Sequence, residues 1–454
     1  MRTSRFTLPS ALTLQLWQRF AAGVGWNVVG AVFNQGSTFA LGIIAANALG
    51  RPQYGVFGFL QSTMALFTGI GALATGLVAT KFVAEYRAMQ KERAGRVIMT
   101  CIAVAIASGT LAALIAAGAA PLIAARVAQP GIERLIRIAA PGILFAIVTA
   151  VCSGALIGFE NLRRNALGGV ISGTAYLVIG VMMARRGTVS AIIVGIVVSA
   201  ALQSVVMLAL LRSEAELQKV PLRMPSLSSI GAERITLLHV ALPAALSGFT
   251  ILPAQWLALS SLAAAPGGID QVAIFTAAYA LRALVIFLPN LINSVGLSVL
   301  SNHSGAGDAV GYRRAFWTNL ATVVSAAAVG ATVVALAGPL LLRAYGKTFT
   351  DGTPVLIILV ASTIPEALAM ATSQISLTHG RFWTFFFFLS LPRDIGLVLL
   401  AIPLARRFGA VGLATGFLGG SLIMLFASTV MARRLGIAPH PATNVAANAG
   451  PESS

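Results

Sequence analysis

The sequence predicts an all-α polytopic membrane protein, and three observations carry that prediction. Of its 454 residues 57% are hydrophobic and only 10% are charged, against roughly 25% charged in a soluble globular chain. The mean hydropathy is +0.88. Twelve mostly apolar segments follow one another along the chain, each close to the ~20 residues that a spanning helix needs. Only a helix satisfies its own backbone hydrogen bonds in hydrocarbon, so each segment is read as one.

The expected spans are residues 25–49, 56–80, 97–122, 138–159, 166–183 and 189–211, then 235–262, 272–300, 316–342, 354–377, 382–405 and 408–431. Before them, residues 1–24 read as a cytoplasmic segment. Within it Leu12, Leu16, Trp17 and Phe20 share one face of a helix suited to lying flat in the interface. Residues 212–234 form the longest polar interruption and read as a cytoplasmic linker between a bundle at 25–211 and a bundle at 235–435. The tail, residues 436–454, is rich in Ala, Pro, Asn and Ser and reads as disordered. Six spans on each side of the linker insert both halves in the same direction, so any repeat between them is parallel, which is transporter architecture.

Translocation disfavours basic residues in short exported loops. One side of the membrane collects 19 of the 31 Lys and Arg and the other 10, which places both termini in the cytoplasm. The formal net charge of +18 is scattered along the whole length rather than gathered in a patch, which argues against a nucleic-acid binder. The basic stretch 81–96 is a candidate for attraction to anionic membrane lipids. Cys101 and Cys152 lie in apolar runs, and His239, His303, His379 and His440 are widely spaced, so no disulfide framework or metal site is expected. Gly346-Lys347-Thr348 lacks the upstream glycine of a phosphate loop, since position 341 is Leu. Gly69, Gly71, Gly76, Gly169, Gly173, Gly416 and Gly420 sit inside spans and read as helix-packing faces. With no cofactor signature and no catalytic constellation, an enzyme is not expected.

LGRPQYGVFGFLQS at 49–62, VATKFVAEYRAMQKERAGR at 78–96 and GALIGFENLRRNAL at 154–167 occupy the first half. AIFTAAYALRALVIFLPNLINSVGLSVLS at 273–301, YGKTFTDGTPVLIILVAS at 345–362 and RFGAVGLATG at 407–416 occupy the second. In order and spacing these runs resemble the O-antigen and exopolysaccharide flippases of the multidrug/oligosaccharidyl-lipid/polysaccharide (MOP) superfamily. The resemblance implies two six-helix bundles arranged as a V in the manner of MATE transporters, in a bacterial inner membrane. It implies a polyprenyl-diphosphate-linked oligosaccharide as substrate, with polysaccharide polymerase or export proteins as partners. Where many relatives carry Asp followed by Arg late in the seventh helix, this chain has Gln255-Trp256, so a coupling role resting on that carboxylate is absent.

Nine of the twelve expected spans hold no charged residue, which singles out Arg282, Glu366, Arg393 and Asp394. A charge at a helix centre costs ~2.5–3.5 kcal/mol on insertion scales and normally faces a cavity or a partner. Glu366 follows Pro365 and Arg393 follows Pro392, so both sites adjoin a residue that removes a backbone donor. Arg393 and Asp394 point ~100° apart, so each is expected to find its partner on another helix, Glu366 with Arg393 being one such pair. Beside that packing role stands a functional one. Arg282 and Arg393 present guanidinium forks suited to a diphosphate, Asn290 and Asn293 extend the Arg282 helix with amides suited to sugar hydroxyls, and Glu366 or Asp394 is a candidate to bind a proton or sodium ion. Asn27, Asn34 and Gln61 in the first two helices are candidates for a polar cavity wall or for interhelical hydrogen bonds. The competing functions are a multidrug or cation antiporter of the same fold and a non-transporting membrane scaffold.

Overall fold

In the computed structural model, residues 11–127, 129, 131–222 and 250–437 are described. Among them nine helices are long and apolar enough to cross a membrane, and two of these contain a break at a glycine. The chain divides into two compact units, Met1–Ala245 and Leu246–Ser454.

The first unit opens with α1, Ala11–Ala72, which bends at Gly50 (φ 73°, ψ 169°) into arms 11–49 and 51–72. The first arm therefore begins well before residue 25. A side chain is strongly disfavoured at that φ/ψ combination. Gly50→Ala is thus expected to cost about 1–3 kcal/mol through the backbone alone, since an added Cβ meets no atom within 4 Å. A lowered melting temperature checks this, with Gly118→Ala in an open helical position as the comparison expected to hold or raise it.

α2 is Thr75–Tyr86, α3 Lys91–Val127, α4 Ile132–Ala139, α5 Pro141–Gly158, α6 Leu162–Ala184 and α7 Val189–Leu217. The expected span 56–80 is broken at Leu73 and Ala74, both at positive φ. The break lets Gly71 sit against Ile147 and Ala112, and Gly76 against the Ala150 carbonyl. Close helix packing here overrides the continuous apolar pattern. α7 runs six residues past the expected end at 211, and Val220 and Pro221 then fold back onto Gly95 of α3. The expected short span 166–183 is a full 23-residue helix, capped by the Asn161 side chain, which accepts from the Arg164 N–H. The linker residues 223–234, the first part of the expected seventh span and the tail from 438 lie outside the described residues.

The second unit contains α8, Thr250–Ala263, then α9, Gly268–Gly305, and α10, Ala309–Tyr345. Asp308 caps α10: its carboxylate accepts the Gly311 N–H at 2.9 Å and lies 3.0 Å from His303 Nδ1. The Gly311 bond first, and His303 after it, hold that carboxyl below its ordinary range. A 3₁₀ turn at Lys347–Gly352 leads into α11, Thr353–Ala361, and α12, Thr363–Thr378. Pro365 cannot donate to the Ala361 carbonyl, which explains the division of the expected span 354–377 at Ser362. α13, Phe382–Phe385, passes through a π-helical turn at Phe386–Ser390 into α14, Leu391–Leu435. Leu391 N–H bonds to the Phe386 carbonyl, five residues back, immediately before Pro392. The wide turn accommodates a residue that cannot continue the regular ladder. α14 itself bends at Gly409 (φ 59°) into two arms, 391–408 and 410–435.

Several of the glycines expected to form packing faces do so within each unit. Gly173 rests on Phe33, Gly416 on Ala401 and Gly420 on Leu397.

Candidate functional site

Arg282 lies mid-way along α9, 6% exposed, among apolar neighbours that leave a guanidinium few hydration partners. Its Nη2 forms an ion pair with Glu366 Oε2 on α12, and its Nε donates to Ser362 Oγ at 3.3 Å. The guanidinium also lies over the Tyr279 ring (5.2 Å) and the Phe417 ring (5.9 Å). Tyr279 is one turn earlier on α9, and Phe417 comes from the second arm of α14. The cation is thus held by a carboxylate, a hydroxyl and two π faces. Glu366, with 27% of its side chain exposed, is the more accessible member of the pair.

Arg393 and Asp394 open α14 directly after Pro392. Arg393 Nε donates to Asp394 Oδ1 at 2.7 Å, and Nη1 approaches Met424 Sδ at 3.7 Å. The expectation that these neighbours need partners on other helices, and that Glu366 pairs with Arg393, is therefore corrected. The long Arg stem spans the ~100° between adjacent positions, while the α9–α12 packing brings Glu366 to Arg282. Asp394 is buried at 3% exposure, and its Oδ2 has no hydrogen-bond partner among the described residues.

Both arginines touch one stretch of α14's second arm. Phe417 faces Arg282, while Gly420 and Met424 lie against Arg393. Seven residues of helix separate Phe417 from Met424, so the two cations meet this arm about 10 Å apart along its axis.

Asn293 sits on the same helix as Arg282 but enters an amide cluster. Gln374 Nε2 on α12 donates to the Asn293 carbonyl and to Asn293 Oδ1, both at 2.6 Å, and Asn319 Nδ2 on α10 donates to Gln374 Oε1 at 3.1 Å. Asn290, one turn before Asn293, is exposed. In the first unit, Asn34 is exposed on the first arm of α1, its carbonyl accepting from Thr38 Oγ1 at 3.0 Å, and Gln61 is half-buried on the second arm. Asn27's side chain lies outside the described residues. Asn319, Gln374, Ser362, Tyr279 and Phe417 were not singled out by sequence reasoning. A polar amide inside an otherwise apolar span was the available signal for Asn319 and Gln374.

The chain is similar to known proteins over most of its length. Residues 20–301 match the family described as polysaccharide biosynthesis protein. A protein of Ralstonia nicotianae described as "EPS I polysaccharide export inner membrane protein EpsE" is 25% identical over 394 residues, covering 85% of this chain and 87% of that one. Among solved structures, the eukaryotic MATE transporter AtDTX14 superposes with a TM-score of 0.73 at 14% identity, covering 93% of this chain and 97% of its own. An inward-facing multidrug resistance MATE family transporter of the MOP superfamily gives 0.71 at 17% identity, covering 90% and 98%. The fold is that of MATE-like transporters, and by the family match this multi-pass chain belongs to the family of polysaccharide biosynthesis proteins.

Proposed function

We propose that the protein is a flippase that carries a polyprenyl-diphosphate-linked oligosaccharide across the bacterial cytoplasmic membrane for polysaccharide export. The family match and the EpsE relative support the pathway class. The observation that carries the choice of substrate is Arg282, a buried guanidinium whose carboxylate partner is the more exposed of the two. A phosphate group offers a pair of acceptor oxygens as a carboxylate does, with more charge. The substrate's diphosphate displaces Glu366 from Arg282, and Arg393, about 10 Å further along α14, takes the adjoining charge. The exposed Asn290 is the candidate to receive a sugar hydroxyl. Asn34 and Gln61 of the first unit are further candidates for sugar contact, whereas Asn293 serves its amide cluster. Alternating exposure of this site to the two leaflets completes transport.

Ion coupling is assigned to Asp394 Oδ2, a buried carboxylate oxygen with no hydrogen-bond partner among the described residues. A proton or sodium ion bound there removes the cost of an unsatisfied acceptor. Asp394→Asn is expected to keep residual transport but to make it indifferent to collapse of the ion gradient, measured as surface polysaccharide with and without a protonophore or sodium ionophore. Unchanged gradient sensitivity in the variant removes Asp394 from the proposal.

The function itself is tested in a strain lacking the gene. Lipid-linked repeat units are expected to accumulate while surface polysaccharide is lost. Normal polysaccharide together with raised sensitivity to cationic drugs would favour the antiporter.

A further inference from the structure

Away from the interior charges, the start of α10 carries a second cluster of cations. Arg313 and Arg314 are exposed on its second turn, with the exposed Trp317 one turn on and Val310 one turn before. With Ala309 and Ile437 they line a groove of about 510 Å³. The opposite face of the same turns is anchored, since Tyr312 and Phe316 are buried and pack in one cluster with Leu300, Ile375, Ala432, Leu435 and Ile437. The end of α14 is therefore held beside the start of α10, and it brings Arg433 and Arg434, also exposed, on its last turn.

What marks this corner is a groove lined by cations that, among the described residues, have no carboxylate partner. In the first unit, Arg87 pairs with Glu160, Arg164 with Glu214 and Arg212 with Glu216. Among the described residues, Arg313, Arg314, Arg433 and Arg434 take part in no ion pair, and no acidic residue lines the groove. The nearest acid in sequence, Asp308, is engaged with the Gly311 N–H and His303. Adjacent guanidinium groups repel one another unless an anion lies between them. The apolar part of the groove and an exposed tryptophan at a helix end are what the headgroup level of a bilayer accommodates.

We propose that this groove is a binding site for the phosphate of an anionic phospholipid, with Arg313 and Arg314 on the headgroup and Trp317, Val310 and Ile437 on the first methylenes of the acyl chains. The site is separate from Arg282 and Arg393 and does not depend on the transport substrate. Lipid retention by the purified full-length protein tests it. The protein in detergent is titrated with phosphatidylglycerol or phosphatidylcholine, and bound lipid is counted by native mass spectrometry. Phosphatidylglycerol is expected to bind more tightly than phosphatidylcholine. Its affinity should fall about thirtyfold in Arg313→Gln/Arg314→Gln, as two basic residues at ~1 kcal/mol each imply. Arg212→Gln, which removes an exposed arginine already paired with Glu216, should leave it unchanged, and equal melting temperatures exclude misfolding as the cause. Trp317→Ala should weaken both lipids alike. Equal binding of the two lipids by the wild type, or unchanged phosphatidylglycerol affinity in the double variant, would overturn the proposal. Inorganic phosphate that binds the wild type as tightly as the lipid does would likewise overturn it, by showing a free-anion site. No readout here is transport, so this proposal and the flippase reading fail separately.

Discussion

Arg282→Ala is expected to abolish export of lipid-linked oligosaccharide and to destabilise the second unit. The substitution leaves Glu366 and Ser362 without their shared donor and removes the cation that lies over Tyr279 and Phe417. Breaking a buried ion pair from one side costs about 3–5 kcal/mol. The partial exposure of Glu366, which water can reach, puts this case at the lower end. Two variants separate stability from function. Arg282→Ala/Glu366→Ala removes both charges and should recover most of the melting temperature without recovering export. Arg282→Lys keeps the charge but loses the fork, and should retain the fold while weakening recognition of a diphosphate. Export by the double variant at wild-type level would make the pair a packing element only.

Gly154→Val is expected to have the larger effect on folding. A Cβ at Gly154 collides with the Gly76 carbonyl oxygen, where α5 crosses α2. Thr80 Oγ1 donates to the Gly154 carbonyl at 2.9 Å across the same crossing. The obstruction is backbone on both sides, so no rotamer change relieves it, and the helices must separate along the core formed by Val78, Phe82, Val151 and Ala155. Overpacking of a well-packed core typically costs about 1–3 kcal/mol, and a backbone collision sits at or above the upper end. Loss of membrane-inserted protein by immunoblot, with Gly118→Val normal, is the expected result.

The order of the membrane helices among the described residues was legible in the sequence because hydropathy reports the solvent, and hydrocarbon sets a minimum length for every span. Breaks inside the helices were less so. The division at Ser362 and the π turn before Pro392 are local consequences of prolines that were visible. The break at Leu73 and Ala74 answers only to the packing of Gly71 and Gly76 against distant helices. For the interior charges, composition identified the candidates but not their pairing. Arg282 and Glu366 are 84 positions apart, and only the packing of α9 on α12 joins them. Adjacent Arg393 and Asp394 pair through side-chain reach, which helical angles alone do not describe. The amide cluster was half visible: Asn293 stood out as an amide on the Arg282 helix, whereas Asn319 and Gln374 are lone polar residues whose purpose appears only when three helices meet.

The most direct test of the central claim is flipping by purified protein in liposomes. A fluorescent polyprenyl-diphosphate-linked oligosaccharide is placed in both leaflets, and the fraction exposed to a membrane-impermeant glycosidase is followed over time. The wild-type protein should make nearly all of the substrate accessible, while Arg282→Ala/Glu366→Ala, reconstituted to the same level, should leave the inner-leaflet half protected. Protection unchanged by the wild-type protein under every imposed ion gradient, or equal activity in the double variant, would contradict the account.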